Sequence, residues 1–424
     1  SEKIPHFLRG HLSHRVSALQ LRLKLVANSM YGTLGFTASR STYRGDRGEQ
    51  GHEIIKLNIG DPIAYPGLPT PQHMVDAYSK ALQDGNNGYS PSYGLPALRE
   101  AIAVDERGKG WAAKRDDVYV CHGVTEALQI LFAAVLEDGA KILAPGPHYP
   151  PYMAYPQTYG ASTVEYRLDG DRGWQIDFDD IEAKMDKDVR MLVLINPNNP
   201  CGSVMGKEGI KRMISLLEQY PNCLLVADEI YDGLDYTGTH VSAAACSNTV
   251  PVVTLNGVSK VYYAPGWRLG YMALHDPTNR LPLVKDALER LLRSRLCPST
   301  PAQHGYLAGL TGDRKWMVSY AEKVQQQRDY CISRIQQIEG IELQAPGGAF
   351  YMFARLTDDR WAGDDKSFVL SLLHEEHVLL VHGSGFSPEF GSGHVRIVFL
   401  ADMAVLKDAF DRIERFLSRH RNAA

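Results

Sequence analysis

Lys260 stands just beyond an apolar run, Val252-Val253-Thr254-Leu255, and Arg268 follows eight residues later in the loop Ala264-Pro265-Gly266-Trp267. A lysine at the end of a buried strand is poorly placed to be a solvated surface charge. An amine held in a cleft loses solvation, its pKa falls, and it can form a Schiff base with an aldehyde. A guanidinium beside it can hold a phosphate through two parallel hydrogen bonds. The pair points to a cofactor that carries both an aldehyde and a phosphate, which is pyridoxal 5′-phosphate.

The other chemically capable residues stand where further apolar runs stop. Asn199 follows the run 189–195, and Asp228 follows the run 223–227. These runs are continuously apolar, as strands buried on both faces of a parallel sheet are. Residues 117–122, 141–144, 252–255 and 269–274 read as further strands, and 125–136 and 208–220 carry apolar residues at helical spacing. Strands alternating with helices predict an α/β domain with a mostly parallel central sheet flanked by helices. In such open sheets ligands bind outside the carboxyl ends of the strands. Asn199, Asp228 and Lys260 are therefore expected to converge on one crevice. Beyond about residue 305 the pattern changes to a long polar helix over 314–339, strands at 347–353, 378–381 and 394–399, and a final helix. That predicts a smaller α+β domain.

The segments Asn196-Pro197-Asn198-Asn199-Pro200-Cys201-Gly202, Asp228-Glu229-Ile230-Tyr231 and the Lys260 loop, in this order and spacing, resemble the class I/II aminotransferases. These are pyridoxal-phosphate enzymes of fold type I, and the resemblance covers residues 44–424. It implies that Lys260 carries the cofactor and, once free, moves a proton between the substrate α-carbon and the cofactor. Asp228 would pair with the pyridine nitrogen and keep it protonated, so that the ring withdraws electrons. Tyr231 and Asn199 would hydrogen-bond the cofactor O3′. Tyr149 would stack on the ring. For the phosphate, Gly123-Val124-Thr125 opens a helix whose N–H groups and dipole suit an anion, with Thr125, Ser259 and Arg268 completing the cup. Tyr89, in Tyr89-Ser90-Pro91-Ser92-Tyr93, matches the tyrosine that reaches the phosphate of a neighbouring subunit, which implies a homodimer with shared sites. Arg396 would grip the substrate α-carboxylate, with Asn199 beside it and the backbone of Gly60 close by.

Residues 295–304 and 378–383 resemble alanine (glutamate–pyruvate) transaminases most. The expected reaction is a ping-pong exchange of the amino group between alanine and 2-oxoglutarate. Aspartate or aromatic amino-acid transamination and β-elimination on the same scaffold are the alternatives. A non-catalytic binding protein is a third reading, which the Lys260/Asp228/Arg268 set opposes.

Composition narrows the class further. The chain has 424 residues, 44% of them hydrophobic, with a net charge of −4. That is enough chain for two domains, and a mildly acidic balance argues against nucleic acid or a membrane surface as partner. The start shows no secretory apolar stretch. Six scattered cysteines without a CxxC fit a reducing compartment, the cytoplasm, with no metal site. His374-Glu375-Glu376-His377 does not have the HExxH zinc spacing and reads as a polar helix face.

The expected organisation is an extension at 1–43, an arm and small-domain segment at 44–75, a large cofactor-binding domain at 76–305 and a small domain at 306–424. Within the extension, residues 24–36 resemble the nucleotide-binding helix motif of family B DNA polymerases. That chemistry needs paired metal-binding aspartates, and no segment resembles the motifs that supply them. The segment is read as a non-functional passenger that displaces the family's N-terminal arm, with Tyr43-Arg44-Gly45 a remnant of it.

Overall fold

The computed structural model describes residues 53–422. The polymerase-like segment and Tyr43-Arg44-Gly45 lie outside them. In chain order the strands are β1 (Ile55–Lys56), β2 (Val118–Cys121), β3 (Lys141–Gly146), β4 (Ser162–Asp169), β5 (Gln175–Ile176), β6 (Val189–Ile195), β7 (Leu224–Asp228), β8 (Val252–Gly257) and β9 (Gly270–His275). The smaller part adds β10 (Ile341–Leu343), β11 (Tyr351–Leu356), β12 (Val378–Leu379), β13 (Val381–His382) and β14 (His394–Val398).

Strands β2 to β9 form one eight-stranded sheet in the order β2-β9-β8-β7-β6-β3-β4-β5. Only β9 and β5 run against the others. Side chains along each central strand alternate between two cores. Leu192 and Leu194 of β6 enter one core together with Ile210, Met213 and Leu217 of the helix Lys207–Leu217. Met191, Val193 and Ile195 enter the other, with Leu128 and Leu131 of Val124–Val135 and Leu288 and Leu292 of Pro282–Ser294. Both faces are covered, which is why these strands read as apolar runs, broken in β6 only by Arg190 near its start.

The smaller body is an antiparallel sheet in the order β10-β11-β14-β13, backed by the helices Trp316–Ile335, Asp365–Glu376 and Met403–Asn422. Its core also takes Ile55, Leu57, Tyr65 and Leu68 from the first described residues. The single strand expected over 378–381 is divided at the buried Leu380. Residues before it pair in parallel with β1, and residues after it pair with β14. A two-residue partner inserted from the start of the chain takes the first half, a pairing that local pattern cannot reveal.

The expected boundaries at 75/76 and 305/306 fall inside the helices Gln72–Gln83 and Thr300–Thr311. These helices cross where Gly305 and Gly309 leave room for Met74, whose Sδ lies 2.8 Å from where a Cβ on Gly309 would stand. Glu376, from the cluster read as a polar face, is 5% exposed and is bound by Arg415 and Arg419 of the last helix. Among the described residues no helix is long and apolar enough to cross a membrane.

Candidate active site

A cavity of about 290 Å³ opens at the carboxyl ends of β6, β7 and β8, where the two bodies meet. Its wall includes the candidates Lys260, Asp228, Tyr231, Asn199, Tyr149 and Arg396. Gly60, Val124, Thr125, Ser259 and Arg268 also line it. Tyr89 does not; it is 84% exposed on the surface of the chain.

Asp228 is the last residue of β7, so its side chain leaves the sheet edge into the cavity floor. It is 3% exposed, and Oδ2 accepts a 2.8 Å hydrogen bond from the Tyr152 hydroxyl. Burial pushes its carboxyl up to about 6, opposed by the bonds from Tyr152 and the Ile230 amide and by the charge of Lys260. Such a carboxylate lacks a full counter-charge, and a protonated ring nitrogen would supply one.

The Lys260 ammonium donates to the Gly60 carbonyl at 2.6 Å and lies 5.8 Å from the Phe350 ring centroid. Lysine from the large body and Gly60 from the segment packed on the small body therefore meet across the cavity. The Tyr231 hydroxyl lies 2.9 Å from that of Tyr351, and burial holds Tyr231 protonated, well above the usual phenol range.

The helix Val124–Val135 begins after Gly123 at φ 79°, with no side chain capping its first amides. Four amides at such an end lack helical partners, and the dipole there favours negative charge. A Cβ at position 123 would stand 2.6 Å from Arg268 Nη2, so only glycine lets this guanidinium lie over the helix end. Arg268 is itself in the left-handed region at φ 53° and donates to the Pro265 carbonyl at 2.9 Å. Thr125 and Ser259 add hydroxyls. Such a cluster of donors and positive charge is suited to a phosphate group.

Arg396 is 5% exposed on β14. Nη1 donates to Asn199 Oδ1 at 3.0 Å and Nη2 to the Asn58 carbonyl at 2.8 Å. Its guanidinium lies between the rings of Tyr351 and Phe386, 4.5 and 4.7 Å from their centroids. Its Nε is buried without a hydrogen-bond partner. A buried cation with N–H donors left over, held between rings, is suited to a carboxylate.

The donor set fits pyridoxal phosphate. A carboxylate is available for the ring nitrogen, hydroxyls and an amide for O3′, an amine for the aldehyde, and the Arg268 cradle for phosphate. Sequence reasoning missed Tyr152 and Tyr351. Tyr152 falls three residues after Tyr149 in a Pro/Tyr-rich segment and Tyr351 in an apolar stretch, and nothing in either local pattern singles it out.

Replacing Arg396 with alanine is expected to raise KM for both the amino acid and the 2-oxo acid by about 10- to 100-fold. That is the loss expected on removing hydrogen bonds to a charged group. Steady-state kinetics with both substrates varied checks it, and unchanged KM values would remove Arg396 from the carboxylate site.

The crevice between a doubly covered sheet and a smaller body, with a lysine, an aspartate and two arginines so placed, defines an aminotransferase of fold type I. The profile of the family "Aminotransferase class I and II" matches residues 52–413, and the chain belongs to that family. It is 36% identical over 381 residues to the glutamate-pyruvate aminotransferase of Haemophilus influenzae, covering 88% of this chain and 93% of that one. It is 33% identical to the alanine aminotransferase of Mycobacterium tuberculosis, over 99% of this chain and 97% of the relative. An alignment of that span takes in nearly all of the first forty residues, and nothing in these relatives supports the polymerase resemblance. Among solved structures, the alanine aminotransferase from Pyrococcus furiosus superposes with a TM-score of 0.88 at 42% identity, covering 94% of this chain and 99% of that chain. The chain is therefore a pyridoxal-phosphate-dependent aminotransferase.

Proposed function

We propose that this aminotransferase exchanges an amino group between L-alanine and 2-oxoglutarate in a ping-pong sequence. The observation that carries the reading of the amino donor is the charge of the cavity wall. Among the described residues lining it, the cations are Lys260, Arg268 and Arg396. Arg268 belongs to the phosphate cradle and Lys260 to the cofactor aldehyde, which leaves Arg396 for the α-carboxylate. Ile59 and Tyr351 stand near it on the same wall, so an apolar side chain as small as a methyl group is accommodated without a further charge. The relatives named for alanine or glutamate–pyruvate transfer agree with this.

Bound pyridoxal phosphate supplies an electron-withdrawing ring and a carbon that takes and returns the amino group. The residues of the chain do the rest. Arg396 and Asn199 orient the substrate carboxylate, Asp228 holds the proton on the ring nitrogen, and Tyr231 donates to O3′. The Lys260 amine would take the proton from the substrate α-carbon and deliver it to the cofactor's aldehyde carbon. The exposure of Tyr89 supports its reading as a group offered to the phosphate of a neighbouring subunit in a homodimer. All six cysteines are free thiols, which supports a reducing compartment such as the cytoplasm.

Absorption spectroscopy of the holoenzyme tests the reading. L-Alanine is expected to bleach the visible cofactor band and 2-oxoglutarate to restore it. A band that ignores alanine but bleaches with aspartate or an aromatic amino acid would assign a different donor. Product formed without any 2-oxo acid would instead show a lyase.

A further inference from the structure

Tyr351 is the one aromatic hydroxyl in the cavity wall that the family resemblance left without a role. Its ring lies on β11, 1% exposed, and meets the Tyr231 ring edge-on at 5.7 Å and 81°. The two hydroxyls are 2.9 Å apart, and either could be the donor. A Cβ on Gly60 would stand 2.0 Å from the Tyr351 hydroxyl oxygen. Gly60 is thus glycine because this hydroxyl occupies the space that any side chain would need.

Each phenol has one hydrogen to give. If Tyr231 gives its hydrogen to Tyr351, none is left for the cofactor. If Tyr351 gives its hydrogen to Tyr231, the Tyr231 hydrogen is free, and an oxygen that already accepts one bond is a stronger donor through its own hydrogen. The charge of Arg396 favours the second direction. Its guanidinium, 4.5 Å from the Tyr351 ring centroid, draws electron density from that phenol and makes it the better donor.

We propose that Tyr351 is a positioning residue whose hydroxyl donates to the Tyr231 oxygen, turning the Tyr231 hydrogen toward the cofactor O3′ and strengthening that bond. The inference rests on the reading of Tyr231 as the O3′ donor given above. Gly60 admits the hydroxyl, and Arg396 polarises it, so the group that grips substrate also tunes the hydrogen bond on the cofactor.

The test is a pH titration of the bound cofactor's visible absorption in four holoenzymes: wild type, Tyr231→Phe, Tyr351→Phe and the double variant. Donation to O3′ stabilises its negative charge and so lowers the midpoint. Tyr231→Phe is expected to raise the midpoint most. Tyr351→Phe is expected to raise it by about 0.2–0.4 pH unit, the share of one bond that cooperativity supplies. In the Tyr231→Phe background the same change is expected to do nothing, because the relay has no second member. A purely structural role would move the midpoint equally in both backgrounds, and that result overturns the proposal. If Tyr231→Phe moves the midpoint and Tyr351→Phe does not, only the relay fails. If Tyr231→Phe itself leaves the midpoint unmoved, the O3′ assignment falls and the relay with it.

Discussion

Replacing Lys260 with alanine is expected to remove turnover while leaving pyridoxal phosphate bound. The site offers the cofactor several holds, and the variant deletes only one. The uncapped helix end, Thr125, Ser259 and Arg268 would still meet the phosphate, and Asp228 the ring. What would disappear is the single amine placed to reach both the aldehyde and the substrate α-carbon. In the structure it lies 2.6 Å from the Gly60 carbonyl, on the side of the cavity where Arg396 would fix the substrate. No second amine stands ready, since the other cations of the described wall are guanidinium groups committed elsewhere. Loss of a positioned acid–base group costs about 10²–10⁴ in rate, and loss of the covalent attachment adds to it. Single-turnover spectroscopy with L-alanine, together with cofactor retention through gel filtration, checks both halves. A variant that turned over at the wild-type rate would end the assignment, and one that lost the cofactor entirely would show the phosphate cradle to be weaker than its geometry implies.

The second large effect is a change of sign at Asp228. Replacing it with asparagine is expected to stabilise the protein without cofactor and to cripple the enzyme with it. Burial raises the carboxyl from its ordinary 3.8 to about 6. A carboxyl whose folded pKa lies above its unfolded value binds more protons when folded, so stability falls as pH rises between roughly 4 and 6. Above that window the full penalty is present, about 3 kcal/mol for a shift from 3.8 to about 6. Asparagine carries no such penalty. The cofactor-free variant is therefore expected to melt above the wild type at pH 8 and to lose this advantage toward pH 4. With cofactor bound the carboxylate gains its counter-charge, and losing one partner of a buried ion pair costs about 3–5 kcal/mol. That corresponds to roughly a 10²- to 10⁴-fold fall in rate if the pair is at full strength in the transition state. Melting curves of both proteins across pH, with and without cofactor, separate the effects. A cofactor-free wild type more stable than the variant at pH 8 would show that the buried charge is better satisfied than Tyr152 and Lys260 suggest.

What could be read in the sequence follows from where the physics is local. Runs such as Val189–Ile195 announce themselves because strands covered on both faces have no polar side, and Asn199, Asp228 and Lys260 were legible because they stand at the ends of such runs. Strand β4 shows the opposite case. Tyr166 and Leu168 are buried while Arg167 between them is exposed, so it alternates, and a search for apolar runs passes over it. Tyr152 and Tyr351 act through contacts made 76 and 120 residues away along the chain, and no neighbouring residue announces either. Leu380 divides its strand only because β1 arrives from the start of the described chain. Tyr89 raises a different difficulty, since one copy of the chain shows it only as an exposed ring.

The crossing of the two bodies at the cavity divides the labour unevenly. Ile55, Leu57 and Tyr65, which flank the Gly60 turn, share one core with Tyr351 and with Val395 and Ile397 on either side of Arg396. The lysine, the aspartate and the phosphate cradle hang from the other body. Tyr231 and Tyr263, which follow Asp228 and Lys260 by three residues each, are nevertheless packed in the core that holds Tyr351. A substitution that resizes the grip on the amino acid is therefore felt by the residues around the cofactor as well, and the two lobes are constrained to change together.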